Sequence, residues 1–452
     1  MQYKLKRKFG VVARSAFIAS VSFSLITSVL TATSANAAAG VGIGPITGTI
    51  DVSYWGGTTR DAKTKAVGAL FMKKYPDVKV NYQNTADFNA YWTKLNVQAA
   101  SNALPCVVQQ QVRQINDYTG SKVLLDLGPL MKSGALTVSD IPAGVLGTGK
   151  AFNNKLYMIP YGSAFTTLVF NETALEKAGV SLPKAGYSWT EYIAFLTEAS
   201  KKLPSSMKAS NLLGGAVGGY DLFVSYVASH NKGRQMFRAD GSLAFSKKIL
   251  TDYWTIWENF RKAGISVSVQ GQVDEPIAIP STNLITSKVA SNVIPGNQFV
   301  THQAAMTSLN PGTKLASMAT PSGPFGSGGL IINSGWSISS NCNNLPASAA
   351  WINFWLNDIE AGKAFDNDNG VTTNPKVAAA IASNPALTEQ QLRFLAVYKE
   401  IASNPKVVIV KFPAGGYTKL QADFKLSYEN IAYGKSDIQK EAAAIFKKYN
   451  GW

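Results

Sequence analysis

Apolar and polar positions partly alternate over Thr49–Trp55, adopt helical spacing over Asp61–Tyr75, and alternate again over Val78–Gln83. A period of two marks a half-buried strand, and a period of 3.6 marks a helix with one apolar face. Ala62, Ala66, Ala69, Leu70 and Phe71 supply that face in the first helix, and Pro76 ends it. Helical spacing returns over Phe88–Ala100 through Tyr91, Trp92, Leu95 and Val97, and Pro105 then opens a short apolar strand, Cys106–Val108. This β-α-β-α-β opening predicts a mainly parallel sheet covered by helices.

A second unit starts at Tyr157-Met158-Ile159-Pro160, with a strand over 166–170. Asn171-Glu172-Thr173 then caps a short helix that ends at Gly179. Ser188 or Thr190 is the N-cap of the next helix, with Glu191 in its first turn. Helical patterns recur at 221–237, 246–263, 347–364, 387–402, 416–433 and 437–449. Prolines punctuate 268–330, which reads as loop, and 329–340 reads as two short strand pieces around a Gly335-Trp336 turn. There is no internal repeat.

The N-terminus adds a compartment. Lys4, Lys6, Arg7, Lys8 and Arg14 precede an uncharged, largely apolar stretch from Ser15 to Leu30, and Ala35-Asn36-Ala37 follows. A basic region, an apolar region and a small-residue site in that order read as a secretory signal peptide over 1–37. The apolar stretch is short for a membrane span of about 20 residues. No cysteine follows the site to carry a lipid. Residues 38–46 form a Gly-rich, flexible lead.

Composition narrows the partners. The remaining chain is too long for one core, so two domains are expected. Only 15% of residues are charged, which favours an uncharged partner. The five leader cations account for part of the net +16, leaving +11, and the lysines fall in isolated pairs rather than one stripe. Nucleic-acid binding is not expected. With 2 histidines and no CxxC, neither a metal site nor a cofactor is expected. Cys106 and Cys342 are able to pair in an oxidising compartment; two buried free thiols are the other reading.

A set of ordered landmarks spans the chain. Trp55-Gly56 ends the first strand; Lys74-Tyr75-Pro76 and Val78-Lys79-Val80 follow; Tyr91, Lys94-Leu95, Leu104-Pro105 and the Tyr118–Leu127 run come next. Then come Lys155–Pro160, Val169-Phe170-Asn171, Glu176–Val180 and Trp189-Thr190-Glu191. The last are Ser334–Ser339, Ala350-Trp351, Phe354-Trp355 and Gly370-Val371-Thr372-Thr373. Taken together this resembles the extracellular solute-binding proteins of ABC importers, of the carbohydrate-binding type related to the maltose-binding protein. Cys106 stands where that family usually has Asp, Thr373-Asn374-Pro375 replaces its usual Ile-Pro, and the 294–298 loop lacks an aromatic.

The resemblance implies an α/β fold of two lobes hinged around a ligand cleft. The first lobe would comprise 47–160 plus 326–373 and the second 161–325 plus 374–452. It implies a monomeric protein exported to the periplasm or cell exterior. There, peripheral to the membrane, it would deliver a ligand to permease subunits at the outer face of the cytoplasmic membrane. Hinge closure on the ligand is the expected motion.

A sugar presents apolar C–H faces and a rim of hydroxyls, and so calls for aromatic platforms beside groups that donate and accept. Trp55 ends the first strand, where open sheets place ligands, and Gly56, Gly57 and Thr58 follow it. Gln109, Gln110 and Gln111 end a buried strand, with Gln109 and Gln111 on one side. Tyr161 and Ser163 follow the first crossing, and Trp336 is the foremost stacking candidate, with packing against Trp351 and Trp355 as its competing reading. Asn297, Gln298, Tyr220 and Asn89 complete the set. A carbohydrate-active enzyme and a surface adhesin are the alternatives; Asp366 with Asp368, or Asp51 with Asp87, are the carboxylate pairs a glycosidase would need.

Overall fold

The computed structural model describes residues 40–451 apart from 213, 215, 216, 277 and 405–409. The expected leader and the first two residues of the lead lie outside the described residues. The strands are β1 (Gly48–Trp55), β2 (Val78–Thr85), β3 (Val107–Gln111), β4 (Ile159–Asn171) and β5 (Ser291–Pro295). They continue as β6 (Leu315–Ala319), the β7–β8 hairpin (Ser322–Gly323, Gly326–Ser327), β9 (Ile331–Ile338) and β10 (Val371–Thr372).

The sheet runs β10-β4-β9-β3-β1-β2, with β5 and β6 also on β4. Among the strands of the described residues only the β1–β2 and β1–β3 pairs are parallel; the pairs made by β4 and β9 are antiparallel. The sheet is therefore mixed rather than mainly parallel, because β9 returns antiparallel to β3 and β4 runs antiparallel to β9. Strand β4 organises the molecule. Its first half pairs with β9 and β10, and its second half with β5 and β6. A register shift between Pro160 and Gly162 bends the first half, as suits a proline that cannot donate to a ladder.

Two large cores flank this strand. One gathers Phe71, Tyr161, Trp336, Trp351 and Trp355; the other gathers Phe170, Tyr220, Phe223, Trp254, Trp257 and Phe424. A third, aromatic cluster of Trp55, Tyr91, Trp92, Tyr118 and Met158 lies on the opposite face of the opening sheet. Local chemistry sets the helix starts. Asp87 accepts from the Ala90 amide at 2.7 Å, Asn171 from that of Ala174 at 3.0 Å, and Ser188 with Glu191 forms a full capping box. Such caps satisfy amides that lack an intrahelical partner.

Three readings change. The 268–330 region holds β5, β6 and a helix over Phe299–Leu309. The 347–364 pattern is two helices, Leu345–Asn357 and Ile359–Phe365, broken where Asp358 caps the second. Residues 331–338 form one continuous strand without a Gly-Trp turn. Gly335 is needed for close approach: a Cβ there would lie 2.4 Å from the Ile159 carbonyl oxygen.

Cys106 and Cys342 form a disulfide with Cα atoms 4.6 Å apart. Antiparallel pairing of β3 with β9 sets Val107 opposite Ile338, which brings the two cysteines together across 236 residues of chain.

Candidate functional site

The carboxyl ends of β1 and β3 meet β4 and β9 at a cavity of about 630 Å³. One wall is made by Trp55, Gly56, Gly57 and Thr58 with Thr59, Arg60, Phe88, Gln111 and Arg113; the facing wall is Asp221, Ile279, Pro295, Asn297, Gln298 and Thr301. Ala164, Phe165 and Thr166 of β4 and Ile332 of β9 close the back, and Asp368 and Asn369 close one side. Ligands of open α/β sheets bind at just such strand ends.

Backbone geometry prepares this wall. Gly56 has φ +143°, and a Cβ on it would meet the Arg60 side chain at 2.4 Å. The glycine therefore lets Arg60 fold back beside the turn. Helix Thr58–Lys74 starts here with no side-chain cap, so amides of its first turn lack intrahelical partners along the cavity wall. Trp55 packs against Phe88 at 5.4 Å and Trp92 at 5.5 Å between ring centres.

Of the residues expected at the site, Trp55, Gly56, Gly57, Thr58, Gln111, Asn297 and Gln298 line the cavity. Gln111 is 91% buried, with 9% of its surface exposed, and its side-chain Oε1 has no hydrogen-bond partner among the described residues. An amide oxygen so placed calls for a donor. Asn297 donates to the Asp368 carbonyl at 3.2 Å across the cavity.

The others are placed elsewhere. Trp336 is 1% exposed, on the core face of β9, with Tyr161 at 5.3 Å, Trp355 at 5.1 Å and Trp351 at 6.0 Å. It is a core residue, because a continuous β9 turns that side chain toward helix Leu345–Asn357. Tyr161 is buried beside it; its hydroxyl accepts from Gln109 Nε2 and, at 2.9 Å, from Asn369 Nδ2. Gln109 Oε1 accepts from the Trp55 amide at 2.9 Å. Gln109 thus holds the turn of the site from beneath, while Gln110 is fully buried on the opposite face of β3. Ser163 is buried where β4 pairs with β10. Tyr220 sits in the second core against Tyr417 and Phe424, and Asn89 is exposed on its helix, outside the cavity.

Three charged residues of the cavity, Arg60, Arg113 and Asp221, were not among the expected ones, and Asp368 was weighed only as a glycosidase carboxylate. Arg60 Nε donates to Asp368 at 2.5 Å, and Arg113 Nη2 donates to Asp221 at 2.9 Å. Tyr417 donates to the same Asp221 oxygen at 2.6 Å, and its ring lies 4.4 Å from the Arg113 guanidinium. Burial works against the Arg113 cation, but Asp221 and Tyr417 outweigh it and raise its pKa. Sequence carried partial signals: Arg60 follows Trp55-Gly56-Gly57, Arg113 follows Gln111, and Asp221 adjoins Tyr220.

The carboxylates weighed for glycoside hydrolysis are otherwise engaged. Asp368 pairs with Arg60, and Asp366 lies 3.4 Å from Lys63. Asp51 accepts from Asn81, and Asp87 caps a helix. Among the described residues no three His, Cys, Asp or Glu side chains gather to hold a metal, and no helix is long and apolar enough to cross a membrane.

The model of the family of bacterial extracellular solute-binding proteins matches residues 55–362. The chain belongs to that family. Solved structures agree on the two-lobed fold. A family 1 extracellular solute-binding protein from Alicyclobacillus acidocaldarius is 24% identical, with a TM-score of 0.69 over 90% of this chain and 99% of that one. The GacH receptor of Streptomyces glaucescens is 19% identical, with a TM-score of 0.70 over 89% and 98%. A periplasmic oligogalacturonide-binding protein from Yersinia enterocolitica is 18% identical, with a TM-score of 0.73 over 89% and 97%.

Proposed function

We propose that this chain captures a neutral sugar or oligosaccharide by closing its lobes on it and delivers it, chemically unchanged, to the permease of an ABC importer. It would act as a monomer, exported by its N-terminal leader to the outer face of the cytoplasmic membrane. The observation that carries the neutral reading is the pairing of charges in the cavity. Each arginine there is matched by an aspartate, Arg60 by Asp368 and Arg113 by Asp221. An anionic ligand would meet two cations already engaged, and a neutral polyol needs only their remaining donors and acceptors.

The apolar wall of Trp55 and Phe88 and the unpartnered Gln111 oxygen suit a ring with one C–H face and one hydroxyl edge. Two structural relatives were solved with sugars, the GacH receptor with acarbose and the Yersinia protein with saturated digalacturonic acid. For the lobes we keep 47–160 plus 326–373 and 161–325 plus 374–452, with one adjustment. Helix Pro375–Ala382 packs on helix Ile359–Phe365, a Cβ on Gly362 meeting Val377 at 2.2 Å. We assign that helix to the first lobe.

Thermal-shift titration and calorimetry with neutral oligosaccharides, a galacturonide and amino acids test the reading. Saturable stabilisation that follows RT ln(1 + [L]/Kd) is expected with a neutral sugar. Stabilisation by the galacturonide or an amino acid alone would overturn it, and so would release of a cleaved product.

A further inference from the structure

The interlobe cavity does not end at its own rim. Thr59, Asn297, Thr301 and Asp368 also line an adjoining space of about 190 Å³, less than a third of the cleft's 630 Å³. Lys63, Asp366, Leu387 and Gln391 of that neck in turn line an outer groove of about 700 Å³, which runs on over Ser383–Ala386. Cleft, neck and groove are thus successive chambers that share their walls.

The turn between the chambers is held in an unusual backbone state. Asp366 and Asn367 have φ of +49° and +52°, a left-handed conformation that non-glycine residues adopt infrequently. Asn367 fixes it by accepting from the Thr372 amide at 3.0 Å. The result sets two aspartates two residues apart on opposite tasks, Asp368 toward Arg60 in the cleft and Asp366 toward Lys63 in the groove. Lys63 and Asp366 stand 3.4 Å apart and about a third exposed, at 28% and 37%. A loose pair of this kind keeps donors and acceptors free for hydroxyls. Leu387 and Leu395 offer apolar surface alongside.

We propose that the groove is a second sugar-binding region: a linear neutral oligosaccharide longer than the cleft threads the neck and lays its outer rings along Lys63, Asp366 and Gln391. This inference rests on the sugar reading above and deepens it with a preference for length.

The test is calorimetric titration of the full exported protein with linear malto-, cello- and xylo-oligosaccharides from dimer to hexamer. It uses wild type, Ala386→Trp and Lys63→Ala. Ala386 is exposed on the groove, so an indole there fills the groove without entering the cleft; unfolding curves confirm that both variants fold. In the series that binds, affinity should rise at least tenfold with length. Ala386→Trp should erase that rise and leave the dimer unchanged, and Lys63→Ala should reduce it. Affinity that is flat from dimer to hexamer, or a wild-type length dependence retained in Ala386→Trp, overturns the groove while the sugar reading stands. If none of the series binds and an unrelated solute does, the sugar reading itself fails and the groove assignment falls with it.

Discussion

Arg113 and Asp221, 108 residues apart in sequence, meet across the cavity at 2.9 Å, and Tyr417 donates to the same carboxylate. Nearby, Asn116 donates to the Phe412 carbonyl at 2.7 Å and the Gly415 amide to Asp117. These contacts join residues after β3 to elements of the second core, so they would favour the closed form of a hinged pair of lobes. Hydrogen bonds to charged groups contribute about 1.5–3 kcal/mol. Asp221→Asn should therefore shift the ligand-free protein toward the open form and weaken ligand affinity about tenfold or more. Small-angle scattering should show a larger radius of gyration for the variant without ligand. An unchanged radius and affinity would mean that the pair does not bias closure.

Gln111 separates binding from stability. Its Oε1 is buried without a partner among the described residues, a state that costs free energy. Gln111→Ala should leave the melting temperature level or slightly raised while affinity for the sugar falls about tenfold, by the loss of one hydrogen bond near 1 kcal/mol or slightly more. A variant that lost stability and kept its affinity would place Gln111 in the scaffold instead.

Trp336 should behave in the opposite way. Its ring is enclosed by Tyr161, Trp351 and Trp355. Truncating a buried tryptophan costs about 3–5 kcal/mol, so Trp336→Ala should lower the urea midpoint strongly. At low temperature the folded fraction should still bind ligand nearly as wild type does. Loss of binding with stability intact would return Trp336 to the site.

A buried ion pair in the second core sets an acid limit. Glu258 takes Arg261 Nε at 2.9 Å and Nη2 at 2.8 Å, and the Tyr428 hydroxyl at 3.0 Å. Burial alone would raise its pKa, but Arg261 and Tyr428 bring it below the ordinary value. A depressed carboxylate pKa contributes stability above the unfolded value, about 4.3 for Glu, and that contribution is lost as pH falls through the folded value. Melting temperature followed by circular dichroism should fall more steeply with acid in wild type than in Glu258→Gln. Parallel curves would show that other carboxylates set the limit.

What could be read in the sequence was chiefly local chemistry. Ser188 and Glu191 form their capping box within one turn, and Asn171 caps where it was expected. The landmark Trp55-Gly56 and the strand-end Gln111 line the cavity. What escaped depends on pairs far apart in the chain. Arg60 and Asp368 are separated by 308 residues, and neither has a local pattern that announces the other. Gly335 looked like a turn because its reason is tertiary, the nearness of Ile159 on a neighbouring strand. With that strand in place, Trp336 follows the period-two rule into the core.

The disulfide suits an oxidising compartment and is itself testable. Cys106 precedes β3, whose far end carries Gln109 and Gln111, and Cys342 follows β9, its antiparallel neighbour. Closing a loop of 236 residues restrains the unfolded chain more than the folded one, and native disulfides of this kind contribute about 2–5 kcal/mol. The double variant Cys106→Ser with Cys342→Ser should be less stable by that amount in urea titration and should unfold at lower temperature, and reductant should reproduce the loss in wild type. Affinity measured well below the transition should stay close to wild type, because neither cysteine lines the cavity. Titration of two free thiols in the unreduced, exported protein would show the pair unformed, and the stability difference would then vanish with it.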